Sequence, residues 1–332
     1  MHFVNCPLCN KNEYREVFVL KTDRVLKLLD IRGFQNRKVM CRICGLVYQN
    51  PQLNTVEINE LYTRLARSRK AGYLSDTPQP GYLRWKELKA LRDFEWLERN
   101  VNLNSLPNRK ILDIGCAEGS LLKLFRERKW DATGVEPTVS YAQFGRTEYG
   151  LNIINGFLNE AGFSEPEFDL ISFLNVLEHS DEPLKFLKSV NRIVRDNGYV
   201  YVEVPNIYRP KEDFEEFIGS QHLTLFSPST LALMLAKTGF EPINIDDRAV
   251  FLRALAQKKG VSLSAQTRVK PANAPDNYRK VSKVLQKHRI KFFFFRLNNR
   301  MRAFIKKALI AIFGEGRSRR AITFLKRLRI AR

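Results

Sequence analysis

The sequence lacks the long apolar runs of membrane-spanning proteins and is poor in the residues that dominate disordered or fibrous chains. No stretch approaches the roughly 18 consecutive apolar residues of a transmembrane helix. The N-terminus has no basic segment followed by an apolar one, so we expect no signal peptide. Only 14 prolines and 17 glycines occur in 332 residues, of which 44% are hydrophobic. These absences predict a globular cytoplasmic protein and exclude a collagen-like or wholly disordered one.

Acidic residues are nearly absent from the end of the chain. Residues 279–332 contain 18 lysines and arginines and a single acidic residue, Glu315. The whole chain has a net charge of +21, so most of that charge lies in this segment. Phe, Leu and Ile recur between the basic residues at helical spacing. We predict a basic amphipathic helical tail over 278–332 that binds an anionic membrane surface, with peripheral attachment to its cytoplasmic face.

Two other partners for this tail stay open. Nucleic acid also attracts dense lysine and arginine, and phenylalanines can stack on bases. Alternatively, the tail packs on its own domain or on a protein partner. Apolar runs such as FFFF and ALIAIF favour the membrane over nucleic acid.

Cysteine is scarce, but four of the five cysteines form two C-x2-C pairs. The sequences are CPLC and CRIC, and the members are Cys6, Cys9, Cys41 and Cys44. Four thiolates provide the tetrahedral sulfur shell that zinc favours, with no open position for catalysis. We therefore predict a structural, zinc-ribbon-like module over residues 1–55. The competing interpretation is two hairpins with vacant thiols. The fifth cysteine, Cys116, is expected to be a small buried filler.

Strand-like and helix-like segments alternate through the middle of the chain. Strand-like runs such as KILDI and YVYVEVPN are separated by amphipathic segments of about ten residues. Such alternation predicts βαβ units and a mostly parallel sheet, the α/β fold class. We assign this domain to residues 56–257, with an amphipathic helix near 82–100 at its entry. Residues 258–277 turn polar and contain two prolines, which predicts a linker.

The sequence KILDIGCAEGS places a strand, a glycine-bearing turn and a helix in succession. Gly115, Ala117 and Gly119 form a G-x-A-x-G pattern, which differs from the G-x-G-x-x-G of dinucleotide-binding turns. Asp113 in the strand would repel a phosphate and attract an ammonium or sulfonium cation. Glu136 ends the next strand, where a carboxylate can accept hydrogen bonds from both hydroxyls of a ribose. The alternative is an ordinary tight turn with incidental acids.

These motifs resemble those of class I S-adenosylmethionine-dependent methyltransferases. The resemblance covers about residues 1–257 and is strongest to the branch with an N-terminal zinc-binding segment, which includes sugar methyltransferases of antibiotic and surface-glycan pathways. It implies a Rossmann-like seven-stranded sheet with a reversed final hairpin. The S-adenosylmethionine contacts that it implies are Asp113, Gly115, Cys116, Ala117, Gly119, Glu136, Pro137, Gly156, Phe157, Asn175, Leu177 and Glu178.

Two histidines are candidates for the catalytic base. His179 lies in NVLEHSDEP, at a strand end where α/β sheets bind ligands, although it could instead only brace the loop. His222 precedes a helix start at which Ser227 is a plausible N-cap and Pro228 the first helical residue. The H-x-x-x-F-S arrangement also occurs in the family that this sequence resembles, with the histidine beside the substrate. We expect His222, ahead of His179, to be the base.

The resemblance implies methyl transfer to a saccharide that is nucleotide-linked or lipid-linked. Similar C-methyltransferases have a Glu-His pair where this sequence has Gln221 and His222. This departure weakens the prediction of C-methylation and leaves O-methylation at least as well supported. Two alternatives remain: a methyltransferase acting on a lipid or quinone, and a non-catalytic nucleic-acid-binding zinc protein.

Overall fold

A computed structural model describes most of the chain that precedes the basic tail. The residues it describes are 2–20, 26, 35–54, 56–58, 78–210, 214–259, 276–288 and 290. The chain divides into two compact units, Met1–Val281 and Ser282–Arg332. Most of the predicted linker and most of the predicted tail lie outside the described residues; residues 278–288 and 290 of the tail lie within them. Among the helices within them, none is long and apolar enough to cross a membrane.

The described part of the chain contains eleven strands and six α-helices with defined bounds. The strands are β1 (Tyr14–Leu20), β2 (Asn36–Cys41), β3 (Val47–Gln49), β4 (Lys110–Ile114), β5 (Asp131–Glu136), β6 (Asn152–Asn155), β7 (Phe168–Leu174), β8 (Val194–Pro205), β9 (Thr224–Leu225), β10 (Phe240–Asp246) and β11 (Phe251–Lys258). The helices are α1 (Pro80–Asn100), α2 (Ser120–Glu127), α3 (Val139–Thr147), α4 (Pro183–Ile193), α5 (Phe214–Phe217) and α6 (Pro228–Lys237). Residues 56–58 and 276–288 are also helical.

Seven strands form the central sheet, in the order β10-β11-β8-β7-β4-β5-β6. Strands β4, β5, β6, β7 and β8 are parallel to one another. Strand β11 runs antiparallel to both β8 and β10. This confirms the predicted α/β class, the seven strands and the reversed final hairpin. Because β5, β4 and β7 are adjacent and parallel, their carboxyl ends lie along one edge of the sheet.

The central strands are apolar because both faces of the sheet are covered. Ile111 and Leu112 of β4, and Leu170 and Ile171 of β7, are fully buried. Continuous apolar runs of this kind are typical of parallel sheets flanked by helices on both sides. The residues that end these strands change to polar types, and they supply the site described below.

One predicted turn is instead an irregularity within a strand. The pattern RDNG predicts a turn before a strand that begins near Tyr199, yet β8 already begins at Val194, which pairs with Phe168. The pairing shifts register before it resumes between Tyr199 and Leu170, and Asn197 has a positive φ of 63°. The turn-forming residues are therefore accommodated as a bulge.

The N-terminal cysteine-containing segment shares a sheet with the central domain. Strands β1, β2, β3 and β9 form a four-stranded sheet, and β9 comes from the loop before α6. Val47 lies opposite Leu225 and Tyr48 opposite Thr224 in an antiparallel pair. Residues of both parts belong to one hydrophobic core. The predicted boundary near residue 55 stays a prediction, but the two parts pack as a continuous structure.

A network of buried charges attaches α1 to the sheet. Lys89 Nζ lies 2.6 Å from Asp93 Oδ2 and 2.9 Å from Glu203 Oε1. Arg253 lies 3.2 Å from each of the same two carboxylates, and the hydroxyl of Tyr201 donates to Asp93 at 3.1 Å. Two cations and two carboxylates compensate each other's charge, as buried ions require. The network fixes α1 next to β8 and β11.

Candidate active site

The turn between β4 and α2 is formed by residues with left-handed backbone angles. Gly115, Ala117 and Gly119 have φ values of +71°, +52° and +86°. A Cβ atom on Gly115 would lie 2.6 Å from Val176 Cγ2, and one on Gly119 would collide with Leu151. Glycine is therefore required at both positions, for its backbone angle and for space. The turn brings main-chain N–H groups close to the carboxyl edge of the sheet.

Glu136 ends β5 and directs its carboxylate toward this turn. Oε2 accepts a hydrogen bond from the Ala117 N–H at 2.9 Å, and Oε1 accepts one from the Thr138 N–H at 2.8 Å. Burial raises the pKa of Glu136, while the hydrogen bonds from Thr138 and Ala117 lower it. Each carboxylate oxygen has a second lone pair. The group is held in place and can still accept from two ribose hydroxyls.

Asp113 lies on the adjacent strand and is almost completely buried. Its Oδ1 accepts a hydrogen bond from Ser172 Oγ at 2.7 Å. Burial raises the pKa of Asp113 to about 7, against the Ser172 hydrogen bond, which lowers it. A buried carboxylate with this pKa gains free energy from any cation that binds beside it. This electrostatic environment suits a positively charged ligand.

An aromatic and acidic cluster beside the turn was not anticipated from the sequence. The hydroxyl of Tyr82 in α1 donates to Glu118 Oε2 at 3.1 Å, and Ser120 Oγ donates to Glu118 Oε1. The Tyr82 ring makes an edge contact with Tyr141 of α3, at 5.6 Å between ring centres. In the sequence, only the position of Glu118 between Ala117 and Gly119 could have indicated this cluster. The cluster joins α1 and α3 to the turn.

The predicted adenine-side residues lie next to Glu136. The Gly156 N–H donates to the carbonyl of Glu136 at 3.1 Å. Phe157 follows it and is partly exposed, and Pro137 is exposed. Cys116 is buried, and its sulfur packs so close to Gly134 that a Cβ there would lie 2.6 Å away. Its thiol therefore fills space inside the turn between β4 and α2, as predicted for a small buried residue.

The NVLEH segment follows β7 as a short 3-10 helix, Leu177–His179. Asn175 has a φ of +58°; its N–H donates to the Glu203 carbonyl at 2.7 Å, and its Nδ2 donates to Glu203 Oε1 at 3.3 Å. Leu177 is part of the hydrophobic core, and Glu178 is fully buried. The segment is therefore held rigidly at the sheet edge, two strands away from Glu136.

The structure brings the two predicted catalytic histidines together. The rings of His179 and His222 lie 5.1 Å apart between centres. Nδ1 of His179 is 2.7 Å from the Gln221 carbonyl oxygen, and Nδ1 of His222 is 2.8 Å from the Phe217 carbonyl oxygen. A carbonyl oxygen can only accept, so both Nδ1 atoms are protonated in the neutral rings and both Nε2 atoms have the lone pair. The Gln221 contact also gives His179 a bracing role.

His179 is in its neutral form at physiological pH. Burial lowers the pKa of His179 to about 4; the hydrogen bond to Gln221 raises it, and the charge of Lys38 lowers it further. Glu178 Oε1 lies 3.7 Å from Nε2 of the same ring. A neutral imidazole that is partly accessible can accept a proton from a substrate.

The helix after His222 begins as its sequence predicts. Ser227 is the N-cap of α6 and accepts a hydrogen bond from the Thr230 N–H at 3.2 Å, and Pro228 occupies the first helical turn. The cap fixes the end of the loop in which His222 lies.

The four paired cysteines form a compact cluster of sulfur atoms. All four sulfurs lie within 4.8 Å of one another, with 3.6 Å between Cys6 and Cys44 and 3.5 Å between Cys9 and Cys41. Zinc–sulfur bonds of about 2.3 Å in a tetrahedron require sulfur–sulfur distances of about 3.8 Å. None of the four cysteines is in a disulfide. The donor set and its spacing fit a zinc ion.

Both C-x2-C pairs have the same turn geometry. The residue after the second cysteine has a positive φ in each case, +60° at Asn10 and +74° at Gly45. The Asn10 N–H donates to the Cys6 carbonyl at 2.8 Å, and the Gly45 N–H donates to the Cys41 carbonyl at 3.0 Å. Two equivalent turns thus present their thiols to one point. Hydrogen bonds to Cys41 and Cys44, together with burial, raise the pKa of Cys6, so a cation is needed to hold four thiolates.

Comparison with known families agrees with this geometry. Residues 83–245 match the sequence profile of a family described as "Methyltransferase domain". These residues therefore form a methyltransferase domain. The matched segment begins within α1 and ends within β10, so it contains the glycine turn, Glu136 and both histidines.

The methyltransferase domain is similar in sequence to curated bacterial proteins. A "Ubiquinone biosynthesis O-methyltransferase" of Pseudomonas fluorescens (strain Pf0-1) is 28% identical over 156 residues, which cover 44% of this chain and 66% of that protein. The corresponding protein of Pseudomonas putida (strain W619) is 29% identical over the same length. This chain thus spans slightly less than two thirds of these relatives.

Two solved structures also resemble the domain. One is described as a "SAM dependent methyltransferase from Archaeoglobus fulgidus", with a TM-score of 0.43 and 17% identity, covering 59% of this chain and 99% of that one. The other is a "possible histamine N-methyltransferase" from Thermotoga maritima, with a TM-score of 0.42 and 20% identity, covering 53% of this chain and 91% of that one.

Proposed function

We propose that this protein transfers a methyl group from S-adenosylmethionine to a hydroxyl oxygen, and that a histidine accepts the hydroxyl proton. The observation that carries the proposal is the placement of three groups along one sheet edge: the buried Asp113, the carboxylate of Glu136 and the histidine pair. When bound, S-adenosylmethionine supplies an electrophilic methyl on a sulfonium. The protein aligns the two reactants and removes a proton.

The cofactor would be held by the turn and the two carboxylates. Asp113 attracts its positive charge, and Glu136 accepts from the ribose hydroxyls. Gly156 and Phe157 lie beside Glu136, where an adenine attached to that ribose would extend. Tyr82, at the start of α1, lies next to the same turn through its hydrogen bond with Glu118. These roles are proposals for the twelve cofactor residues that the sequence predicts, with Tyr82 added.

Oxygen is a better acceptor than carbon for this site. A carbon nucleophile next to a sugar carbonyl needs a strong base, which similar enzymes provide as a Glu-His pair. Here the residue before His222 is Gln221, whose neutral amide cannot act as a base. Its Nε2 donates to the Glu216 carbonyl at 3.3 Å. A hydroxyl proton, by contrast, can pass to a neutral imidazole Nε2 as the oxygen–methyl bond forms.

We propose a saccharide, nucleotide-linked or lipid-linked, as the acceptor. The N-terminal cysteine module and the H-x-x-x-F-S sequence before α6 support it, because both features belong to the sugar-modifying branch that the sequence resembles. The second candidate is a phenolic precursor of a quinone. It is supported by the similarity to proteins named ubiquinone biosynthesis O-methyltransferases.

Replacing His222 with alanine is expected to lower turnover at least about 100-fold, because a positioned general base contributes about 10² to 10⁴. The dissociation constant for S-adenosylmethionine should change less than twofold. Calorimetry measures cofactor binding, and transfer of a labelled methyl to sugar nucleotides, glycolipids and catechols measures turnover and selects the acceptor class. His2→Ala, at an exposed histidine, is the matched control.

Two results would contradict the proposal. If the wild-type protein bound no S-adenosylmethionine at sub-millimolar concentration, the methyltransferase function would be excluded. Full turnover of the His222→Ala protein would remove this residue from the base role and leave His179 as the candidate.

We further propose that the basic tail attaches the protein to an anionic membrane surface. Each basic residue near such a surface contributes about 1 kcal/mol. Replacing Arg300, Arg302, Lys306 and Lys307 with glutamine in the full chain should therefore weaken binding to vesicles containing phosphatidylglycerol at least tenfold. Co-sedimentation with these vesicles and with pure phosphatidylcholine vesicles measures the effect.

The control for this experiment removes four exposed charges from the described domain: Arg92, Arg99, Lys185 and Lys188. This variant should sediment like the wild type. Equal sedimentation of the tail variant would contradict the membrane proposal, and selective loss of RNA binding in that variant would assign the tail to nucleic acid.

A further inference from the structure

The loop that carries His222 is anchored by the N-terminal cysteine-containing module, residues 2–54. Asn36 Nδ2 donates to the Ile218 carbonyl at 2.7 Å, and the Gln49 N–H donates to the Leu223 carbonyl at 2.8 Å. Immediately afterwards β9 pairs with β3. The main chain of the loop, residues 218–225, is therefore hydrogen-bonded at several points to a segment about 180 residues earlier in the sequence, by the Asn36 side chain and by main-chain groups of Gln49 and β3.

Lys38 lies at the centre of this contact. Its Nζ donates to Gln49 Oε1 at 2.8 Å, to the Gly219 carbonyl at 3.1 Å and to the His222 carbonyl at 2.5 Å. An ammonium has three donors, and these three oxygens match that number. Lys38 is completely buried, which is rare for lysine because burying a charge costs free energy. A neutral apolar residue would avoid that cost but could not donate hydrogen bonds to the three oxygens, so the ammonium serves to hold the loop and not only to fill space.

The same ammonium lies close enough to affect the histidine pair. The charged or titratable groups that face His179 are the carboxylate of Glu178, the imidazole of His222 and the ammonium of Lys38. Glu178 favours protonation of His179, whereas Lys38 opposes it. Burial contributes most to the low pKa of His179, and Lys38 adds to it. The lysine thus holds the loop and also helps keep the ring neutral.

We propose that Lys38 is a positioning residue for methyl transfer, through which the cysteine module holds residues 218–225 so that His222 lies beside His179. This inference rests on the proposed function in one respect: it assumes that the histidine pair serves the acceptor. The module is then part of the acceptor site and not an independent appendage. Metal binding by Cys41, three residues after Lys38 in the sequence, would stabilise the strand that presents the lysine.

The test compares Lys38→Met with wild type in the full chain, by three measurements. Affinity for S-adenosylmethionine, measured by calorimetry, should change less than twofold, because Lys38 is not in the cofactor site. The kcat/KM for the acceptor should fall at least tenfold. The pKa of His179, followed by NMR of its ring protons and assigned with a His179→Gln variant, should rise, because the charge of Lys38 lowers it in the wild-type protein.

Lys185→Met, at an exposed lysine on α4, is the matched control and should leave all three measurements unchanged. If Lys38→Met does not fold, Lys38→Arg decides the question. Arginine keeps the charge, so the pKa of His179 should stay low. Its planar guanidinium cannot direct three donors to the same three oxygens, so kcat/KM should still fall about tenfold.

Unchanged kcat/KM in a folded Lys38 variant would overturn the inference, as would loss of stability alone with an unchanged His179 pKa in Lys38→Met. Failure of the proposed function looks different. In that case the wild-type protein would bind no S-adenosylmethionine, while the NMR titration would still report whether Lys38 controls the histidine pair.

Discussion

Replacing Asp113 with asparagine is expected to weaken S-adenosylmethionine binding at least about 100-fold and to make the ligand-free protein more stable above pH 7. Burial raises the pKa of Asp113 from 3.8 to about 7. Because the folded pKa lies above the unfolded one, the stability that this group contributes is fully present below about pH 4 and lost as the pH rises through 7. Asparagine cannot ionise and avoids that loss. It also cannot compensate a sulfonium.

The measurement is the free energy of unfolding at several pH values, together with cofactor calorimetry. At about 1.4 kcal/mol per tenfold change in proton affinity, the advantage of Asp113→Asn should grow by up to about 4 kcal/mol between pH 4 and pH 8. Asp131→Asn, at an exposed position 3.6 Å from Lys110, should change stability by less than about 1 kcal/mol at every pH. A difference that does not depend on pH would show that the pKa of Asp113 is ordinary.

Replacing Cys41 with serine is expected to abolish metal binding and to destabilise the whole compact unit. Structural zinc contributes its binding free energy to folding, commonly more than 5 kcal/mol. Cys6, Cys41 and Cys44 belong to the same hydrophobic core as Ile171 and Val202 of the central sheet. Loss of the metal should therefore lower the melting temperature of the entire unit, by on the order of 10 °C. Mass spectrometry of the intact protein and thermal unfolding measure the two effects.

The fifth cysteine provides the control for this prediction. Cys116 lies in the turn between β4 and α2 and not in the four-sulfur cluster, so Cys116→Ala should keep one zinc ion per chain. A wild-type protein that contains no zinc after expression in zinc-supplemented medium would contradict the assignment. So would a Cys41→Ser protein that melts at the wild-type temperature.

The sequence by itself determined the parts of this protein whose causes are local. The alternation of buried strands and amphipathic helices predicts the α/β sheet, because a sheet covered on both faces needs continuous apolar strands. The turn at Gly115 and Gly119 and the N-cap at Ser227 are also readable, since backbone angles and capping depend on neighbouring residues. The two C-x2-C pairs predict a cluster of four sulfurs, because each pair forms its own turn.

The tertiary structure alone decided which of these parts meet. The pairing of β3 with β9 joins short segments that lack any strand-like pattern of their own. The contacts of Lys38 with Gly219 and His222, and of Tyr82 with Glu118, connect residues far apart in sequence. Such contacts depend on how loops close and how elements pack, and neither leaves a periodic signal in the chain. For the same reason the sequence predicted two separate histidines, and only the folded chain placed them side by side.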